Sequence, residues 1–164
     1  MKFRLISRVL GIGLIAFSFL QLTPIIVSII YNEDNMAAFA YSFLITLAFG
    51  SFLYLVNFEK KYEGIRVKEG FLLTVLLWLF FTIFATLPFI FGSKSGLTIV
   101  SAYFEATSGL TTTGATIFSD LSGEYYSILF YRGLLQWIGG LGIIVLAIAP
   151  VSYTHLTLPT ILLV

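Results

Sequence analysis

The stretch that decides the fold reads Leu97-Thr98-Ile99-Val100-Ser101-Ala102-Tyr103-Phe104-Glu105-Ala106-Thr107-Ser108-Gly109-Leu110-Thr111-Thr112-Thr113-Gly114-Ala115-Thr116. Its first part, about residues 98–108, is apolar and helix-length, yet too short to cross a hydrocarbon core that takes about 20 residues. Thr98 is placed to cap its start and Gly109 to end it in a left-handed position. The second part is a run of hydroxyls and small residues with one glycine, which makes a poor helix and a poor lipid-facing surface. A short helix, a turn and an extended stretch between two longer spans read as a re-entrant pore loop. Such backbone is tolerated at membrane depth only where protein or a water-filled path surrounds it.

The longer spans flank this loop. Residues 9–31, 37–58 and 70–92 carry no charge, and 127–149 carries only Arg132. With 59% hydrophobic and 10% charged residues in 164, and a mean hydropathy of +1.01, an ordinary water-soluble globule is excluded. Backbone in lipid must be paired internally, so the spans are expected to be helices, and no period-2 barrel pattern competes. Pro24 is expected to kink the first span without ending it. That span is too long for a signal peptide and no small-residue cleavage site follows, so it is read as retained.

Charge sets the expected topology. Lys2, Arg4 and Arg8 precede the first span, and Lys60, Lys61, Arg66 and Lys68 lie in the 59–69 loop. The loop around Glu33 and Asp34 has no cation. The positive-inside rule therefore places the N-terminus and 59–69 in the cytoplasm and the 93–126 region outside. A net charge of +1 gives no field for nucleic acid. Cysteine is absent and His155 is the single histidine. Thiol chemistry is thereby excluded, and an enzyme is not expected, with only Glu105 as a carboxylate at depth.

Two readings of Thr111–Thr116 compete: a threonine-rich outer turn, or a narrow path with successive carbonyls turned inward. Its position behind a short helix between two spans favours the second. Rings of carbonyls replace the hydration shell of a potassium ion. Gly114 allows backbone angles that β-branched neighbours resist. The preceding helix aims its negative end at the ion, favouring a cation.

Three motifs then carry a resemblance. They are Arg66-x-Lys68-Glu69-Gly70-Phe71, the run from Phe104-Glu105 through Ser108-Gly109-Leu110 to Thr116, and Phe130-Tyr131-Arg132-x-x-Leu135-Gln136-Trp137-x-Gly139-Gly140-x-Gly142 continuing to Ala147. From the N-terminus to about Ala149 the chain resembles the membrane subunit of the Trk/Ktr potassium transporter superfamily, most closely its TrkH/TrkG branch. The resemblance implies an all-α integral membrane fold: two N-terminal transmembrane helices (1–58), a cytoplasmic loop (59–69), and the first of four membrane–pore–membrane repeats (70–149). It implies a potassium uptake permease of the bacterial inner membrane, with this chain supplying one quarter of the selectivity filter at 111–116. By the family pattern the carbonyls of Thr112 and Thr113 face potassium, with Thr111 and Gly114 completing the ion-binding set and Ala115 flanking. The implied partners are potassium, membrane lipid, a second copy in a homodimer and a cytosolic nucleotide-binding (TrkA-like) regulatory subunit. No cofactor is implied beyond potassium as substrate.

Other residues keep two readings. Glu105 is expected to bond backbone donors behind the filter rather than touch the ion. Arg132 pairs with Glu105 or Asp120 and braces the loop, or it snorkels to the interface. Gly139, Gly140 and Gly142 lack a strand–helix unit for a dinucleotide and read as helix-packing positions. Trp78, Trp137, Tyr125 and Tyr126 read as packing or interfacial residues. The 59–69 loop is solvated, with contact to a regulatory partner as the alternative.

After Ala149 the resemblance ends. Val151-Ser152-Tyr153-Thr154-His155-Leu156-Thr157-Leu158-Pro159-Thr160 back-translates to GTC TCT TAT ACA CAT CTG ACG CTG CCG ACG, the end of a transposase sequencing adapter. Residues 150–164 are therefore expected to be a non-native tail of a truncated chain. A small accessory membrane protein without an ion path is the rival to the permease, and it gains weight only if the native chain stops there.

Overall fold

The computed structural model describes residues 3–56 and 67–155. The described residues are helical, with no strand among them. The 59–69 loop lies largely outside the described residues, as do 156–164.

The first apolar stretch forms α1 (Phe3–Leu20) and α2 (Thr23–Ile30). Sequence alone gave one kinked helix; the chain instead breaks at residues 21–22, because Pro24 has no N–H for the Leu20 carbonyl and its ring crowds that turn. The Thr23 hydroxyl takes over, donating to Leu20 O at 2.8 Å. The two helices together still form one apolar span, Phe3–Ile30. Next come α3 (Met36–Val56) and α4 (Val67–Gly92), the latter with Pro88 inside it. Short α5 (Ile99–Leu110) and long α6 (Tyr126–His155) complete the order. The backbone of α6 runs past Ala149, beyond the boundary drawn from sequence.

Among the described residues four helical stretches are long and apolar enough to cross a membrane, and no more than 33% of each one's most apolar window is buried inside the protein. The outward apolar faces, such as Phe52, Val75 and Ile144, are exposed. That distribution suits lipid as solvent and gives a multi-pass membrane protein. The buried side of α1 (Leu10, Leu14, Phe17) joins Phe39 of α3, Ala85 and Phe89 of α4, Ala102 and Ala106 of α5, and Ile128, Tyr131 and Leu135 of α6 in one core. Phe17 stacks on Phe81 at 4.8 Å, and Tyr131 lies between Phe39 and Phe89.

Two carboxylates tie the helix ends together. Glu33, 8% exposed, accepts from the backbone N–H of Tyr126 at 2.6 Å and of Ser127 at 3.1 Å. It thus fills the orphan donors and faces the positive end of α6. Asn35 donates to Ser127 Oγ and to the Gly92 carbonyl. Glu124 closes the other seam, accepting from the Lys94 N–H at 2.6 Å, the Ser95 N–H and hydroxyl, and the Ser93 hydroxyl. Burial pushes the Glu124 carboxyl up, but the Lys94, Ser95, Tyr125 and Ser93 donors outweigh it and hold it below the usual carboxylate range. The two ends of the 93–126 segment are thereby joined.

Candidate functional site

Helix α5 starts where the sequence placed it. Thr98 is extended at the N-cap and its hydroxyl accepts from the Ser101 N–H at 3.2 Å. The helix ends differently. Gly109 lies within α5, buried against Leu135 of α6, where an added Cβ would meet that side chain at 3.0 Å. The left-handed residue is Thr112, at φ 57°. The Thr112 N–H donates to Gly109 O and the Thr113 N–H to Ser108 O, both at 3.0 Å. This is a Schellman closure with a threonine at the position that usually takes glycine. The expectation that Gly109 ends the helix is corrected: close packing on Leu135 claims that glycine, and the turn falls three residues later.

Backbone hand alternates beyond the turn. Thr112 and Gly114 have φ of 57° and 77°, while Thr113 between them does not have positive φ. Alternation of left- and right-handed residues turns successive carbonyls to one side instead of opposite sides, as it does for N–H groups in anion nests. Among the described residues no hydrogen bond is made to the carbonyls of Thr111, Thr112 or Thr113, and all three residues are exposed. Hydroxyls hold the run from the side. Thr111 Oγ1 donates to Thr107 O at 2.8 Å and lies 2.8 Å from Thr113 Oγ1.

Behind the run sits a buried ion pair. Arg132 Nε donates to Glu105 Oε2 at 2.9 Å, with the side chains 13% and 0% exposed. The other carboxylate oxygen of Glu105 accepts from the Thr116 hydroxyl at 2.7 Å and from the Ile117 N–H. Arg132 Nη2 donates to the carbonyls of Gly114 at 2.9 Å and Ala115 at 3.0 Å. Ser108 Oγ donates to Ala115 O at 2.6 Å as well. Arg132 therefore pairs inward with Glu105 rather than snorkelling. Asp120 closes its own turn on the Ser122 N–H instead, and those Ser122 bonds hold its carboxyl below the usual range.

The structure thus brings Glu105, Arg132, Gly114, Ala115, Thr116 and Ser108 into one network and leaves Thr111–Thr113 in front of it. One expected ligand separates from the others: the Gly114 carbonyl is turned to Arg132. What the glycine gives this run is its backbone angle. Gly139 of α6 sits where the Leu110 carbonyl comes so close that a Cβ would overlap it, so it is a packing glycine for α5. Trp78 packs beside Gly142, and Trp137 is exposed. A cavity of about 430 Å³ between α4 and α6 below Leu110 is lined by Leu77, Trp78, Phe81 and Ile138, with the Thr74 hydroxyl its one polar side chain. It offers an ion no coordination. Among the described residues no group of three or more His, Cys, Asp or Glu side chains is placed to hold a metal ion.

A short helix and turn set between two apolar spans define a multi-pass helical membrane fold, and comparison with known proteins gives its family. Residues 35–155 match the family model described as TrkH, cation transport protein. The chain belongs to the TrkH family. It is 46% identical over 149 residues to the Trk system potassium uptake protein TrkH of Escherichia coli strain K12, covering 91% of this chain and 31% of that protein. The Trk system potassium uptake protein TrkG of the same organism is 35% identical over 146 residues, covering 89% of this chain and 30% of its own length. The crystal structure of the potassium transporter TrkH from Vibrio parahaemolyticus superimposes with a TM-score of 0.85 at 39% identity, over 91% of this chain and 32% of that one. The chain spans about a third of the length of the curated relatives it matches.

The residues that sequence reasoning missed are Glu33, Asn35 and Glu124, which join the helix ends, and Gln21, buried inside the first span. Glu33 was weighed only as a topology charge. A carboxylate two or three residues outside a span, with no cation in its loop, is a candidate partner for a helix N-terminus.

Proposed function

We propose that this chain supplies one quarter of a carbonyl-lined filter in a potassium uptake permease. The observation that carries the reading is the run of three unbonded carbonyls, Thr111, Thr112 and Thr113, set in alternating backbone hand and braced from behind by Glu105 and Arg132. The negative end of α5 points toward the same place and favours a cation. Potassium is held at Thr112 and Thr113, with Thr111 next in line, by oxygens that offset its dehydration. Selection of this kind needs no covalent chemistry and no cofactor. The relatives' names, Trk system potassium uptake proteins, support the same cargo.

The other three quarters of the ring belong to further repeats of a longer chain. The N-terminus and the 59–69 loop face the cytoplasm of a bacterial inner membrane, following the seven cations at 2, 4, 8, 60, 61, 66 and 68. A homodimer with a cytosolic nucleotide-binding regulatory subunit is the assembly that the family resemblance supports.

The test is rubidium uptake by the full-length transporter in cells without their own potassium uptake, with Gly114→Ser as the variant. A side chain at φ 77° strains the run. Uptake is expected to fall, or discrimination between rubidium and sodium to weaken. Unchanged uptake and discrimination at equal membrane abundance overturn the filter.

A further inference from the structure

Pro88 leaves a defect inside the bilayer. It stands within α4, has no N–H, and so strips the Phe84 carbonyl of its helical donor. In hydrocarbon an unpaired carbonyl is costly, and proline is tolerated in spans only where a neighbour supplies the missing bond. Here the neighbour is on another helix. Gln21, at the break between α1 and α2 and fully buried, donates from Nε2 to Phe84 O at 3.1 Å. Its own amide oxygen accepts from Thr46 Oγ1 of α3 at 3.1 Å. One residue further along α4, the Ala85 carbonyl accepts from Tyr131 Oη of α6 at 3.3 Å. Tyr131 immediately precedes Arg132, which holds Glu105 and the Gly114 and Ala115 carbonyls.

The effects of Pro24 and Pro88 therefore converge on Gln21. Pro24 breaks the first span and leaves Gln21 in the turn before it. Pro88 exposes the carbonyl to which Gln21 bonds. We propose that Gln21 is a positioning residue for the ion path: it replaces the donor that Pro88 removes, and so fixes the course of α4 beside Tyr131 and Arg132. The N-terminal pair of helices is then part of the device that aligns the filter loop. This rests on the reading of 111–116 as a filter, but the bond between Gln21 and the proline defect does not.

The test is a double-mutant cycle in the full-length transporter, with Gln21→Leu, Pro88→Ala and both together. Alanine at 88 returns the N–H to Phe84, so Gln21 becomes redundant. Two readouts are taken: the midpoint temperature of the detergent-solubilised protein, and the half-saturating rubidium concentration and rubidium-over-sodium preference at matched abundance. Gln21→Leu is expected to lower the midpoint and to raise half-saturation at least about threefold, the scale of one lost buried hydrogen bond. In the Pro88→Ala background the same change is expected to do neither. If Gln21→Leu lowers the midpoint equally in both backgrounds, the repair of Pro88 is overturned. If the midpoints cycle as expected but half-saturation and preference do not move, the positioning role is overturned. A wild type that carries no rubidium refutes the filter reading and with it the positioning role, while the midpoint cycle still decides the Gln21–Pro88 bond.

Discussion

Arg132→Lys is the sharpest test of the brace behind the threonine run. The guanidinium uses two separate nitrogens: Nε reaches Glu105 Oε2 at 2.9 Å, and Nη2 reaches Gly114 O at 2.9 Å and Ala115 O at 3.0 Å. Lysine keeps the charge but has one nitrogen, so it holds either the carboxylate or the loop carbonyls. Bonds to charged groups contribute roughly 1.5–3 kcal/mol each. Losing the two carbonyl bonds puts about 3 kcal/mol at stake at the low end. Water reaching the exposed loop returns part of that, leaving about 1.5–2 kcal/mol against the ordered arrangement. At about 1.4 kcal/mol per tenfold, rubidium uptake at sub-saturating concentration falls about tenfold or more. Because lysine still neutralises the buried Glu105, membrane abundance stays close to wild type. Arg132→Leu does not, since an unpaired buried carboxylate costs about 3–5 kcal/mol. The assay is rubidium uptake by the full-length transporter, normalised to membrane protein. Wild-type uptake and sodium discrimination in Arg132→Lys refute the reasoning, because the fork geometry then contributes nothing.

Other changes follow from the same geometry. Gly139→Ala drives a methyl into the Leu110 carbonyl, and overpacking of this kind costs about 1–3 kcal/mol; the solubilised protein is expected to melt earlier, whereas Gly133→Ala, with nothing within 4 Å of its Cβ, leaves the midpoint in place. Thr112→Gly removes a left-handed strain of about 1–2 kcal/mol while keeping the carbonyl, so thermal stability is expected to hold or rise with transport retained; a drop in stability shows that the threonine side chain outweighs its backbone cost. Glu124 has a carboxyl held below its ordinary value, so the stability it gives is present above the unfolded value, about 4.3, and is lost as pH falls through the lower folded value. The melting midpoint of the full-length protein should therefore decline on acidification in the wild type, and Glu124→Gln should remove that part of the slope.

The architecture was legible because lipid leaves few choices. Four apolar stretches of span length, charged only at Arg132, and one apolar stretch of half that length admit little except helices and a re-entrant segment. Thr98 announced the start of α5 through its hydroxyl, a local interaction readable from adjacent residues. The end of α5 was not readable, because Gly109 is used for contact with Leu135 of α6, and such use is invisible along the chain. Arg132 left two readings open from sequence, since pairing and snorkelling differ only in where the helix face turns. Glu105 on the facing helix settles it at 2.9 Å. Likewise the bond from Arg132 Nη2 to the Gly114 carbonyl at 2.9 Å is a direction that a glycine's freedom along the chain does not fix.

Polar bonding inside the spans argues for the filter from the opposite direction. Pro24 and Pro88 each orphan a carbonyl, and in both cases a side chain fills the gap: Thr23 for Leu20 and Gln21 for Phe84. Glu33 fills the open end of α6 with the N–H groups of Tyr126 and Ser127. Even in the exposed loop, Gly114 and Ala115 have their carbonyls taken by Arg132 and Ser108. A chain that repairs its backbone this thoroughly leaves three consecutive carbonyls, Thr111 to Thr113, without a donor among the described residues. On the C-terminal side the Gly114 and Ala115 carbonyls are bonded, so donors are at hand directly beside the run. Oxygens left open together, on one side of an alternating backbone, are what the proposed site for a partly dehydrated cation requires, and the rubidium test separates that site from an outer turn whose carbonyls are hydrated.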